Sequence, residues 1–96
     1  MYKAEFDHVI HAPNRLQICS ILSITAEIEF KVLREELDLS ESALSKHLKT
    51  LVQANYVCLS KRTDFGRQRT WLSLTKEGQR AYLNHVSALK AIVKGL

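Results

Sequence analysis

A chain of 96 residues, 46% hydrophobic and 25% charged, has the composition of one small folded domain, which excludes a disordered polymer. Cys19 and Cys58 stand 39 positions apart with no Cys-x-x-Cys or Cys/His pair at zinc spacing, which excludes a zinc knuckle. No leader-like segment opens the chain and no apolar run approaches the roughly 20 residues of a membrane span, so a cytoplasmic protein without a membrane partner is expected, with both thiols free and buried among apolar neighbours.

The net charge of +4 is unevenly placed. Residues 1–40 carry four basic and seven acidic side chains, whereas residues 41–96 carry ten basic and three acidic ones. Such polarity suits a polyanion on one half of the molecule, although a solvated basic surface would look the same in composition.

Residues 1–11 mix charge and bulk (Tyr2, Phe6, Val9, Ile10) without a period, and suit a short helix or an arm lying on a neighbour. His8, His11 and Cys19 are soft metal ligands, but without a carboxylate or further cysteine nearby they specify no metal site. Pro13 fits the first turn of a helix, where its missing N–H costs nothing, and Leu16, Cys19 and Ile24 follow at helical spacing until about Ser23–Glu27. Phe30, Leu33 and Leu37 then predict a second helix, with Lys31, Arg34 and Glu35 outward.

After the turn Asp38-Leu39-Ser40 comes the most informative stretch. Ser40 is a good N-cap, and Leu39 and Leu44 stand at the spacing of a hydrophobic staple. Leu44, Leu48 and Leu51 form one apolar stripe, while Ser42, Ser45, Lys46 and Lys49 share the opposite side. Hydroxyls and lysines on a helix pinned from behind by leucines suit a DNA major groove, so a recognition helix is expected at about 40–53, closing near Asn55.

Beyond Asn55 the period shortens. Residues 56–61 and 69–74 are β-branched or aromatic and partly alternating, and they flank a polar loop, 62–68, that contains Gly66. A hairpin follows, with Val57, Leu59, Leu72 and Leu74 expected against the helices and Lys61, Arg62, Arg67 and Arg69 at its protruding end. Thr75 caps a last helix, in which Tyr82, Val86, Leu89, Val93 and Leu96 step by four, three, four and three. That heptad seam predicts dimerisation, or packing on the protein's own first helix.

Helix, helix, turn, helix, basic hairpin, helix is the order of a winged helix-turn-helix: mainly α with a small β-hairpin and a C-terminal dimerisation helix. A single domain spans 1–96, with a helical part at 12–54, a wing at 56–74 and the dimerisation helix at 75–96. Leu39 to Leu51 with its Leu-Ser-x-x-x-Leu-Ser-x-His-Leu-x-x-Leu pattern, Ala54-Asn55-Tyr56-Val57, Gly66-Arg67 with Arg69-Thr70, and Leu74-Thr75-Lys76-Glu77-Gly78 together resemble the MarR/ArsR-like winged-helix transcriptional regulators, above all the small stand-alone members. The resemblance covers about residues 12–96 and implies a homodimeric, sequence-specific regulator, commonly a repressor, on an inverted repeat of double-stranded DNA. The paired-cysteine motif of metal-sensing ArsR proteins is missing, so metal sensing is not expected.

Ser42, Ser45, Lys46 and Lys49 are expected to touch DNA, because the opposite face reads so clearly as core. His47 lies between the faces, where a DNA contact and plain boundary packing weigh equally. Arg67 and Arg69 are favoured as wing contacts ahead of Lys61 and Arg62, and Phe65 at the tip is placed for turn packing or a wedge against DNA or a partner. Tyr82, Val86, Leu89 and Val93 form the expected dimer seam. A protein-interaction module is the competing function. No clustered polar groups mark an effector pocket, no cofactor is called for, and no nucleophile–base pair, carboxylate pair or phosphate loop suggests an enzyme.

Overall fold

The computed structural model describes residues 6–95. In chain order it contains α1 (Pro13–Ser23), β1 (Ile28–Glu29), α2 (Phe30–Leu37), α3 (Glu41–Gln53), β2 (Val57–Asp64), β3 (Arg67–Leu74) and α4 (Lys76–Lys94). The strands make one antiparallel sheet in the order β1-β3-β2. Four helices and a charged hairpin are the expected winged helix architecture. Strand β1 has no signature in the sequence: two residues are too few to show a period, and pairing of Ile28 with Leu72 and Glu29 with Trp71 is what makes them a strand.

Pro13 opens α1 as expected, and Ile18, Cys19 and Leu22 are buried on it. They meet Leu33 of α2, Leu44, Leu48 and Leu51 of α3, Val57 of β2 and Leu72 of β3 in one core. Each helix is stopped or started by local chemistry. Asp38, in the left-handed conformation at φ 51°, ends α2 with its N–H on the carbonyls of Arg34 and Glu35. Ser40 starts α3, its Oγ accepting from the Ala43 N–H at 3.1 Å. Asn55, at φ 64°, closes it, and the next N–H, of Tyr56, reaches the Leu51 carbonyl.

The hairpin corrects the expected polar loop. β2 and β3 stay in register as far as Asp64 opposite Arg67, which leaves only Phe65 and Gly66 to turn the chain. Both have positive φ, 50° and 77°, as a two-residue turn matched to strand twist requires. Residues 62–68 hide their strand character because solvent bathes both faces there, so no apolar alternation is needed. Two burial expectations also change. Leu59 pairs with Leu72 on the core side, yet it is 42% exposed at the sheet edge. Cys58, expected to be buried, points to the other face and is exposed, while Cys19 is buried and its thiol is pushed up to about 12 by desolvation, followed by the charge of Asp7.

Thr75 starts α4. Its Oγ1 accepts from the Gly78 N–H at 2.9 Å and its hydroxyl donates to the Asn55 carbonyl at 2.7 Å. Gly78 is dictated by space: a Cβ there would lie 2.2 Å from the Tyr56 carbonyl oxygen. The Leu-Thr-x-x-Gly motif is therefore the seat of α4 on the end of α3.

The segment before α1 is part of the fold, with Ile10 fully buried in the core. Asp7 organises it: Oδ1 accepts from the N–H groups of Val9 and Ile10, and Oδ2 accepts from the Tyr56 hydroxyl, which raises the Tyr56 pKa to about 12. The Asp7 N–H donates to Nδ1 of His85, a fully buried residue of α4, and the His85 Nε2 lies 3.1 Å from the His11 Nδ1. Since Nδ1 must accept, His85 is neutral and its proton sits on Nε2, facing His11. Phe6 stacks on His11 with ring centroids 4.8 Å apart. Expectations placed on residues 1–5 and on Leu96 lie outside the described residues.

Two measurements check this packing. Gly78→Ala should lower stability by about 1–3 kcal/mol in urea titration, because the new methyl meets backbone that cannot step aside. Burial, and then the neighbouring His11, lower the His85 pKa from its usual 6.5, so the unfolded chain takes up that proton first as pH falls. The stability His85 contributes is whole above about pH 6.5 and drains away below it, down to the folded pKa. Tm followed from pH 7.5 to 5 should fall more steeply for the wild type than for His85→Gln; parallel curves would refute the assignment.

Candidate nucleic-acid interface

The two faces of α3 are physically distinct. Leu44, Leu48 and Leu51 are buried, while Ser42, Ser45, Lys46 and Lys49 are all exposed. The Ser40 Oγ lies 3.3 Å from the Ser42 Oγ, so the first turn presents two hydroxyls beside an N-terminus whose free N–H groups favour negative charge. Neither lysine head has an ion-pair partner among the described residues. Each is a solvated cation on a rigid cylinder.

His47 stands at the boundary and is tied to α1. An Arg15 guanidinium nitrogen is 3.3 Å from its Nδ1, and the Asn14 side-chain amide is 3.3 Å from its Nε2. Arginine can only donate, so Nδ1 accepts from Arg15 and the ring proton sits on Nε2, on the side of Asn14. Desolvation, then the charges of Arg15 and Lys46, lower the His47 pKa, which leaves an uncharged ring near pH 7. Arg15 is itself held by the Val9 carbonyl. The α1 N-terminus thus buttresses the middle of α3, a link with no signature in residue spacing.

An α3 with one buried and one polar face, followed in sequence and space by a two-stranded basic hairpin, decides the matter together with a match of residues 14–93 to the winged helix DNA-binding domain family. The chain belongs to that family. An uncharacterised protein of Methanocaldococcus jannaschii is 29% identical over 82 residues, spanning 85% of this chain and 89% of its own. A solved transcriptional regulator homologue from Pyrococcus horikoshii is 28% identical with a TM-score of 0.88, covering 93% of this chain and 88% of its own. ZitR of Lactococcus lactis, described as a zinc-responsive MarR family member, has also been solved in complex with DNA; that complex is 23% identical to this chain, with a TM-score of 0.68, over 99% of this chain and 63% of its own, so it shares the fold.

In this winged helix domain the four wing cations are not equivalent. Arg62 donates to Glu27 Oε1 at 2.7 Å and its guanidinium lies 4.5 Å from the centre of the Trp71 ring. Arg69 donates to Glu29 Oε2 at 3.2 Å. Arg62 and Arg69 are directly opposite across the hairpin, and two like charges there would repel without the carboxylates that flank Ile28. Each pair is partly exposed and contributes about 0–1 kcal/mol. Arg67 and Lys61 have no such partner among the described residues and remain available. Nothing local in the sequence pairs Glu27 and Glu29 with the wing, because the acidic half of the chain gives no hint that β1 folds onto the basic half.

A cleft of about 500 Å³ runs between the start of α2 and β3, lined by Lys31, Arg67, Gln68 and Thr70 among others. These polar groups continue the exposed surface from the wing toward α2. No group of three metal-ligating side chains gathers among the described residues.

On α4 the expected seam divides. Tyr82 is half-buried against the core, whereas Val86, Leu89 and Val93 line an open apolar groove, Val93 being 68% exposed. Ala81, His85 and Ala88 form the inward side, while Leu83 and Ile92 are exposed. No helix among the described residues is long and apolar enough to cross a membrane.

Proposed function

We propose that this protein is a sequence-specific, double-stranded-DNA-binding transcriptional regulator of the cytoplasm, acting as a homodimeric repressor on a palindromic operator. The observation that carries this reading is the amphipathic division of α3: three leucines anchor it in the core while Ser42, Ser45, Lys46 and Lys49 are left to solvent. In the major groove the two serines lie nearer base edges and the two lysines reach phosphates. Arg67 and Lys61 anchor the wing to the adjacent backbone. Arg62 and Arg69, already engaged by carboxylates, contribute less. His47, neutral and held by α1, contributes orientation and hydrogen bonding rather than charge.

The open seam of Val86, Leu89 and Val93 supports pairing of two α4 helices, with Tyr82 at the subunit end of the same seam. Two-fold symmetry would then set the two α3 helices about 34 Å apart, one turn of B-DNA. Repression by occupancy is the mode of regulation that requires nothing beyond tight operator binding.

Selection from a random duplex pool at near-physiological salt is the primary test, and a two-fold-symmetric consensus is the expected product. On that duplex, Lys49→Ala and Arg67→Ala should each weaken binding by about 1–3 kcal/mol in fluorescence anisotropy, Arg67→Ala also lowering the salt slope by about one, whereas Arg62→Ala should cost less. Unchanged affinity for both Lys49→Ala and Arg67→Ala would sink the contact assignment. Replacing Leu89 and Val93 together by lysine should give a folded monomer in sedimentation analysis, and a variant that still sediments as a dimer would overturn the α4 interface.

A further inference from the structure

Phe65 is the least economical residue in the molecule if the free protein is all that matters. It is 95% exposed and adopts φ 50°, a left-handed conformation in which a bulky side chain is strained and asparagine or glycine is the usual occupant. Turn packing, the weightier expectation from sequence, does not occur: the ring has nothing to pack on.

The hairpin beneath it carries the tip well clear of the core. Leu59 opposite Leu72 is the last apolar pair of the hairpin, and five further pairs, from Ser60–Trp71 to Asp64–Arg67, carry the tip outward. At about 3.3 Å per residue that is on the order of 16 Å of projection. Glu27 on Arg62, Glu29 on Arg69 and the Arg62 guanidinium on Trp71 brace the root of this projection on one sheet face. Past the brace stand only Thr63, Asp64, Phe65, Gly66, Arg67 and Gln68, with Arg67 the one cation at the tip. A cation and an apolar ring are thus combined at the end of a projecting arm.

We infer that Phe65 is an apolar wedge for a base step in the minor groove beside the half-site, so that the wing recognises DNA by deformability as well as by phosphate charge. This rests on the DNA-binding reading and deepens it. With α3 in a major groove, the wing lies over the neighbouring backbone and minor groove, where Arg67 meets phosphate. A phenyl ring makes no hydrogen bond to phosphate, but its flat apolar face suits a partly unstacked base pair. The hairpin itself stays outside a groove about 6 Å wide, but a flat ring projecting from its two-residue tip is thin enough to enter. The steps that open most readily are pyrimidine–purine ones, TA and CA/TG, so one of these is expected at a fixed distance outside each half-site.

The test selects bound duplexes from a random pool with the wild type and with Phe65→Asn, then places 2-aminopurine at the enriched flanking step. Asparagine suits the left-handed turn, so Phe65→Asn should melt at or above the wild-type temperature. It should bind the wild-type duplex about ten-fold more weakly and no longer enrich the flanking step. At saturation, 2-aminopurine fluorescence should rise with the wild type and with Lys49→Ala, which leaves the wing intact, but not with Phe65→Asn. A Phe65→Asn protein with unchanged affinity and the same flanking preference overturns the inference while leaving DNA binding in place. So does a wild-type complex with unaltered 2-aminopurine emission, or a Phe65→Asn protein that loses dimer mass, which would assign the ring to a second copy. A wild type that retains no duplex at all removes the DNA-binding reading and the wedge with it.

Discussion

Burial of Leu44, Leu48 and Leu51 along one side of α3 is the constraint on which the rest of this domain depends. Each fully buried leucine stabilises the fold by about 1.5–3 kcal/mol relative to exposure, and the three at helical spacing leave α3 a single orientation. Everything polar on the helix is then displayed by exclusion. The Ser40 cap fixes where α3 begins, and Arg15 with Asn14 holds His47 at its midpoint. The polar face is therefore preorganised by core packing, with the cap and the His47 contacts fixing its start and its midpoint.

The wing is governed by a different balance. Hydrophobic burial ends at the Leu59–Leu72 pair, and beyond it the hairpin is held by its ladder, by two ion pairs and by an arginine on an indole. Individually these are weak at a wet surface, so their value is in geometry more than in stability. They consume the charge of Arg62 and Arg69, and they concentrate the free positive charge at Lys61 and Arg67. The apparent surplus of cations in the second half of the sequence is thus partly neutralised by acids of the first half.

Residues 6–11 pack against α4. Asp7, His11 and His85 bind them to the middle of that helix, so the described part of the segment before α1 is a wall of the domain. Beyond Ala88 the helix outruns the core, and its apolar residues are left uncovered.

Much was legible from the residues alone. The α3 stripe, its Ser40 cap, the Thr75 cap and the winged order of elements follow from period and local chemistry, because caps and helix faces are decided within a few residues of chain. Membership of the winged helix family was carried by the same motifs. Other features depend on residues far apart in sequence. The two-residue strand β1, the tight Phe65–Gly66 turn, the exposure of Cys58 and the buried His85 have no local signature, since each is set by what another segment places opposite it. The division of the wing cations into engaged and free pairs is of that kind too. Local sequence determined which helix carries an exposed polar face, and tertiary packing decided which wing charges stay unpaired beside it, because an ion pair between Glu29 and Arg69 exists only once the sheet has formed.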